Sequence, residues 1–240
     1  MHNLTIPDYN KITVTEATSL QNNLKGRLLL TTGTANITTI AGADISHNKY
    51  EETVYAGIVI LSYPGMALIS YSLIQSTTKF PYIPGYLGFR EVPALLQAWQ
   101  QIPVKPNVVV LDGQGITHPR RMGIASHFGL LAETAAIGCA KNMLFGEYPA
   151  LGNEKFSYSP ITKYNELLGY ALRTKAGVKP VFISPGHKIS VEDSLTIMTN
   201  CVKKHRIPEP TRLAHDYVNL LRTGKLSAGF HKVDIQESLF

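Results

Sequence analysis

Apolar residues recur every three or four positions from Thr15 to Leu30, with Ala17, Leu20, Leu24 and Leu28 on one stripe. This spacing predicts an amphipathic helix with Thr15 as its candidate cap. Three strand-like runs follow. Ile37 to Ile45 ends on Asp44, Val54 to Tyr63 alternates around Gly57, and Met66 to Ile74 comes after a Pro64-Gly65 turn signal. Runs of this length joined by short turns predict an antiparallel meander.

The period then changes. Phe80 to Gly88 holds two prolines and two glycines and reads as a loop, and Glu91 to Gln101 carries a helical face of Val92, Leu95, Leu96 and Trp99. Asn107 to Leu111 is continuously apolar and ends on Asp112, Gly123 to Thr134 is an apolar helix, and Ala135 to Ala140 is a second unbroken strand. Unbroken apolar strands around a helix are the mark of parallel pairing, so the sheet should begin antiparallel and continue parallel. Asn142 to Tyr164 reads as loop. Short strands are expected near Leu168–Thr174 and Pro180–Ser184, and helices near Val191–Lys204 and Thr211–Arg222. With no repeat and no linker, residues 1–240 read as a single α/β domain, with 224–240 a mobile tail.

Composition narrows the class. At 44% hydrophobic, the 240 residues can bury a core, which excludes disorder as the main state. Cys139 and Cys201 are too few for a disulfide framework and fit a reducing compartment. Neither a leader nor a membrane-length apolar run is legible, so a soluble cytoplasmic protein with no membrane contact is expected. Charged residues make up only 17%, yet the net charge is +6, and residues 171–240 hold 11 basic against 6 acidic side chains. That skew favours a polyanionic partner, with Lys203, Lys204 and Arg206 as candidates to follow a phosphate backbone.

Asp44 and Asp112 each end a predicted strand, and Glu91 opens a predicted helix. If the two strands are neighbours, their carboxylates meet at one sheet edge, where ligands gather in such sheets. Three carboxylates suit Mg²⁺, a hard cation that prefers oxygen ligands. Such residues also serve plainly as turn, cap or first-turn acids. After Asp112 come Gly113-Gln114-Gly115 and then His118, Arg120 and Arg121, where glycines permit close backbone approach and the basic groups can meet phosphate. Phe80-Pro81-Tyr82-Ile83-Pro84-Gly85 brackets a Tyr-Ile pair with prolines, which suits either an aromatic tucked on the core or a stiff wedge that replaces a displaced base.

The runs Thr78 to Glu91, Asp112 to Gly129 and Ile137 to Lys141 resemble the motifs of the endonuclease V family, the deoxyinosine-specific repair nucleases. Ala41-Gly42-Ala43-Asp44, Gly186 to Ser190 and Pro208 to His215 extend the match in the family's order. The resemblance implies an RNase H-like fold. It implies DNA repair by hydrolysis of the second phosphodiester bond 3′ to a deaminated adenine, leaving 3′-hydroxyl and 5′-phosphate ends. Likeness to the family makes Asp44, Asp112 and Glu91 the Mg²⁺ ligands, with Mn²⁺ able to substitute, puts Lys141 and His118 near the scissile phosphate, and gives His215 the place of a further active-site histidine. Tyr82, flanked by Pro81, Ile83 and Pro84, matches the wedge. Gly85, Leu87, Gly113, Gly123, Ile124, Gly138 and Ala140 fall in motifs that wall the hypoxanthine pocket. The implied partner is single- or double-stranded DNA containing deoxyinosine, met by a monomer. Two alternatives stand beside it: an endoribonuclease for inosine-containing RNA, and a lesion-binding protein that does not cut.

Overall fold

The computed structural model describes residues 7–31, 36–48 and 51–233. Helix α1 spans Val14–Leu24 and is followed by a 3₁₀ turn at Lys25–Arg27. Its cap is Thr13 rather than Thr15: the Thr13 hydroxyl accepts from the Glu16 N–H while the Glu16 carboxylate accepts from Thr13, a reciprocal capping box. Strands β1 (Thr39–His47), β2 (Thr53–Ser62) and β3 (Leu68–Thr77) form the expected antiparallel meander. Next come α2 (Leu87–Gln101), β4 (Val108–Leu111), α3 (Ile124–Leu131) and β5 (Ala135–Ala140). The remainder is β6 (Tyr158–Lys163), β7 (Glu166–Leu172), β8 (Val181–His187), α4 (Val191–Asn200), α5 (Glu209–Arg222) and β9 (Gly229–Lys232).

Among the described residues nine strands join in the order β6-β7-β8-β5-β4-β1-β2-β3-β9. Only β1–β4 and β4–β5 are parallel. A sheet of this composition, flanked by helices, is the RNase H-like arrangement the motifs imply. Strand β4 is apolar throughout because both its faces are covered. Val109 and Leu111 pack toward α2 and α3 with Val92, Leu95, Trp99 and Phe128, whereas Val108 and Val110 face Ile197 and Met198 of α4.

Two stretches expected to be irregular carry strands. Tyr158–Lys163 is an edge strand with alternating burial, not loop, and its Pro160 is tolerated because an edge needs no donor on its open side. Part of the supposed tail, Gly229–Lys232, pairs with β3; residues 234–240 lie outside the described residues. No helix among the described residues is long and apolar enough to cross a membrane.

Helix α2 begins at Leu87, well before Glu91. Gly88 sits inside it because α3 presses against it: a Cβ there would lie 2.5 Å from the His127 Nδ1. His127 is fully buried, its Nε2 meets the Tyr9 hydroxyl at 2.7 Å, and burial pushes its pKa down to about 3. In the unfolded chain an imidazole titrates near 6.5. The folded protein therefore binds fewer protons, and stability should fall as pH drops from about 6.5 toward about 3. Denaturant titrations across that range should show a shallower fall for His127→Phe; parallel curves would contradict it.

Candidate active site

The parallel register sets the centre. Ala43 of β1 pairs with Leu111 of β4, and the Asp112 N–H donates to the Ala43 carbonyl at 3.2 Å. Asp44 and Asp112 thus occupy neighbouring rungs. Asp112 directly follows β4 as expected, but Asp44 does not end its strand, because β1 continues against β2 to His47. Helix α5 lies over this point. A Cβ on Gly42 would fall 1.8 Å from the Pro210 carbonyl oxygen, so only a glycine lets the start of α5 press onto β1.

That approach delivers His215 to Asp44, with Nδ1 2.9 Å from Oδ2. The other Asp44 oxygen accepts from the Ile45 N–H at 2.8 Å. Asn219 Nδ2 meets His215 Nε2 at 3.0 Å, which leaves Nδ1 to donate to Asp44, and this contact outweighs burial to raise the histidine's pKa. Lys141, one residue beyond β5, donates to Asp112 Oδ2. Burial pushes the Lys141 pKa down, but the Asp112 contact wins and it ends raised. The Asp112 pKa is raised, first by burial and then by Asp44, against the opposing Lys141.

Glu91 lies in the second turn of α2, not its first, and points its charge toward the same place. Burial, then Asp44 and Asp112, push its pKa well above the ordinary range, and its carboxyl has no hydrogen-bond partner among the described residues. Three mutually repelling carboxylates offset by one lysine and one histidine form a donor set suited to a hard divalent cation. Among the described residues no three His, Cys, Asp or Glu side chains already stand at metal-holding distances, since Asp112 turns to Lys141 and Asp44 to His215.

A cavity of about 360 Å³ opens beside this centre, and Asp112 and Lys141 form part of its wall. Tyr82, Ile83, Pro84, Gly85, Leu87, Gly113, Gly123, Ile124 and Ala140 line it. Pro81 and Gly138 do not line it. Gly138 supports the wall from behind, where a Cβ would sit 2.4 Å from the Gly115 nitrogen. Tyr82 is 66% exposed, so it is not tucked on the core.

His118 stands differently from expectation. It is buried, its Nδ1 accepts from the Arg120 N–H at 3.1 Å, and its Nε2 lies 3.0 Å from the Gly85 carbonyl. A carbonyl only accepts, so Nε2 carries the proton and neither ring nitrogen is free. Burial pushes its pKa down to about 4. The same carbonyl accepts from Gln21 and Arg120, each at 3.0 Å, and Gly85 holds φ +83°, the left-handed region where glycine is favoured. His118 therefore latches the Tyr82 loop instead of meeting a phosphate. Arg121 pairs with Glu166. Arg206 is also committed elsewhere, bonding the Lys179, Pro180 and Lys141 carbonyls, so it braces the lysine's segment rather than following a backbone.

Sequence reading missed Gln114, Met122 and the stretch from Asn142 to Leu144, all in the cavity wall, and Gln21 on the latch. Only Gln114 had a signal, its two flanking glycines.

Residues 22–216 match the family model for endonuclease V. Endonuclease V of Dehalococcoides mccartyi is 44% identical over 204 residues, covering 85% of this chain and 92% of that protein, and that of Myxococcus xanthus is 43% identical over 212 residues, covering 88% and 90%. The crystal structure of endonuclease V from Streptomyces avermitilis superposes with a TM-score of 0.84 at 34% identity, covering 92% of this chain and 98% of that one. Endonuclease V from Ciona intestinalis, in complex with a DNA 23mer containing an inosine followed by a ribo-adenosine, superposes with a TM-score of 0.79 at 31% identity, covering 90% and 100%. The same fold, matched along nearly the whole chain at these identities, means that this protein belongs to the endonuclease V family.

Proposed function

We propose that this protein is a DNA repair endonuclease that recognises deoxyinosine and hydrolyses the second phosphodiester bond on its 3′ side, leaving 3′-hydroxyl and 5′-phosphate ends. The observation that carries the reading is a shared wall: Asp112 and Lys141 belong both to the carboxylate centre and to the wall of the cavity. Lesion recognition and bond cleavage thereby occur side by side.

An inosine pairs weakly, so extracting it costs little, and the vacated stack is filled by the exposed Tyr82 held between Pro81 and Pro84. Latching of Gly85 by His118, Arg120 and Gln21 keeps that wedge stiff. Glycine-lined walls let backbone N–H and C=O groups reach the base edge. Asp44, Asp112 and Glu91 are the residues that would hold Mg²⁺, for which Mn²⁺ could substitute. When bound, such an ion supplies an activated water and charge neutralisation at the phosphate.

The remaining steps fall to the chain itself. Lys141 sets a positive charge beside the carboxylates, where a scissile phosphate would gain from it. His215, oriented by Asn219 and held by Asp44, is placed to accept or return a proton through Nε2 once the amide contact yields. No serine or cysteine nucleophile is needed.

Incubating the purified protein with end-labelled inosine and undamaged DNA duplexes, and with inosine RNA, in Mg²⁺ or EDTA tests the reading. Cutting of inosine DNA in Mg²⁺, abolished by EDTA, supports it. Binding without cutting under every condition would overturn it in favour of a lesion-binding protein, and cutting of RNA alone in favour of an endoribonuclease.

A further inference from the structure

One run of buried side chains that starts at the cavity wall has no part in the chemistry above. Gln114 Nε2 donates to the Asn142 carbonyl at 2.7 Å, and Gln114 Oε1 accepts from Thr117 Oγ1 at 2.5 Å. Thr117 Oγ1 meets Ser184 Oγ at 2.8 Å, and Ser184 Oγ accepts from the Gly115 N–H at 2.9 Å. Thr117 and Ser184 are fully buried and Gln114 is 9% exposed.

The direction of every bond is determined from the ends inward. Asn142 offers a carbonyl, which only accepts, so the Gln114 amide must turn its nitrogen there and its oxygen to Thr117. The threonine hydroxyl spends its proton on that oxygen. It therefore accepts from Ser184, whose own oxygen takes the Gly115 N–H. Each group in the run is satisfied in one arrangement, and a buried network of that kind rigidifies what it joins.

It joins two segments of the cavity wall. Gly113 and Gln114, which follow β4, and Asn142, which follows β5, all line the cavity, and Ser184 anchors the run in β8. Asn142 follows Lys141, whose own carbonyl accepts from Arg206 Nη2 at 3.1 Å. Two consecutive carbonyls around the lysine are thus pinned by side chains.

We propose that Gln114 is a positioning and specificity-determining residue: through Thr117 and Ser184 it fixes the place of the Gly113–Gln114 wall, and through Asn142 it ties that wall to Lys141. The inference rests on the reading that the cavity takes the flipped hypoxanthine. Guanine differs from hypoxanthine by one added amino group, and a wall that cannot yield excludes it. A loosened wall admits it.

Single-turnover cleavage of inosine and guanine duplexes by the wild type, Gln114→Met, Thr117→Val and the double variant tests this. Each single variant should lose about tenfold or more of the inosine preference, in line with a misplaced binding wall, and the double variant no more than the worse single. Thr117→Ser, which keeps the hydroxyl, should retain the preference even where Gln114→Met folds poorly. Unchanged preference in Thr117→Val, or rates that fall equally on both duplexes in step with thermal stability, would overturn the proposal. A wild type that leaves inosine DNA uncut overturns the parent reading, whereas a wild type that cuts, with variants of unaltered preference, overturns this one alone.

Discussion

Asp112→Asn should lower the rate of inosine-DNA cleavage by on the order of 10³-fold while leaving metal-free binding to the same duplex intact. The asparagine keeps the shape and an acceptor for Lys141 but removes the charge that the donor set needs. Loss of a negative group beside the cavity favours a phosphate backbone, so binding should hold or tighten. Asp44→Asn should behave alike, and the double variant should be scarcely worse than either, because groups that act as a unit give non-additive losses. Single-turnover rates with a parallel gel-shift titration provide the check. A rate within tenfold of wild type would remove Asp112 from the centre.

Glu91→Gln should do two things at once: abolish cleavage and stabilise the metal-free protein at neutral pH. Burial and the two aspartates hold the Glu91 pKa above its unfolded value. Its contribution to stability is therefore full below the unfolded pKa and is lost as pH rises through the folded one. Glutamine fills the same space without a charge, so its advantage should appear as pH rises and vanish in acid. A gain of about 1 kcal/mol would raise Tm by about 2–4 °C for a chain of this size. Thermal melts of both proteins in EDTA at pH 8 and pH 4.5 give the comparison. A variant less stable than wild type at pH 8 would mean that the Glu91 charge is held by favourable contacts instead.

The sheet was legible because its information is local. Alternating runs made the meander, and the unbroken β4 and β5 announced burial on both faces. Strand β6 escaped because Pro160 reads as a breaker wherever the strand's edge position is unknown, and four-residue β9 because its strand partner among the described residues is distant β3. Asp112 emerged as a candidate because it follows an unbroken apolar strand, and Asp44 because its apolar run was expected to stop there although β1 continues to His47, whereas Lys141 was legible only through the motif resemblance. The phase of Glu91 within α2 depended on Gly88, whose place in a helix follows from His127 packing against it. His118 and Arg206 look like phosphate binders in sequence, and only tertiary contacts show both committed to backbone carbonyls.

Mapping the cut at nucleotide resolution tests the central claim most directly. A 5′-labelled inosine strand treated with the wild type in Mg²⁺ should end at the second phosphodiester 3′ to the lesion, with the inosine retained and a 3′-hydroxyl that a polymerase extends. A cut on the 5′ side, an excised base, or a 3′-phosphate end would contradict the account.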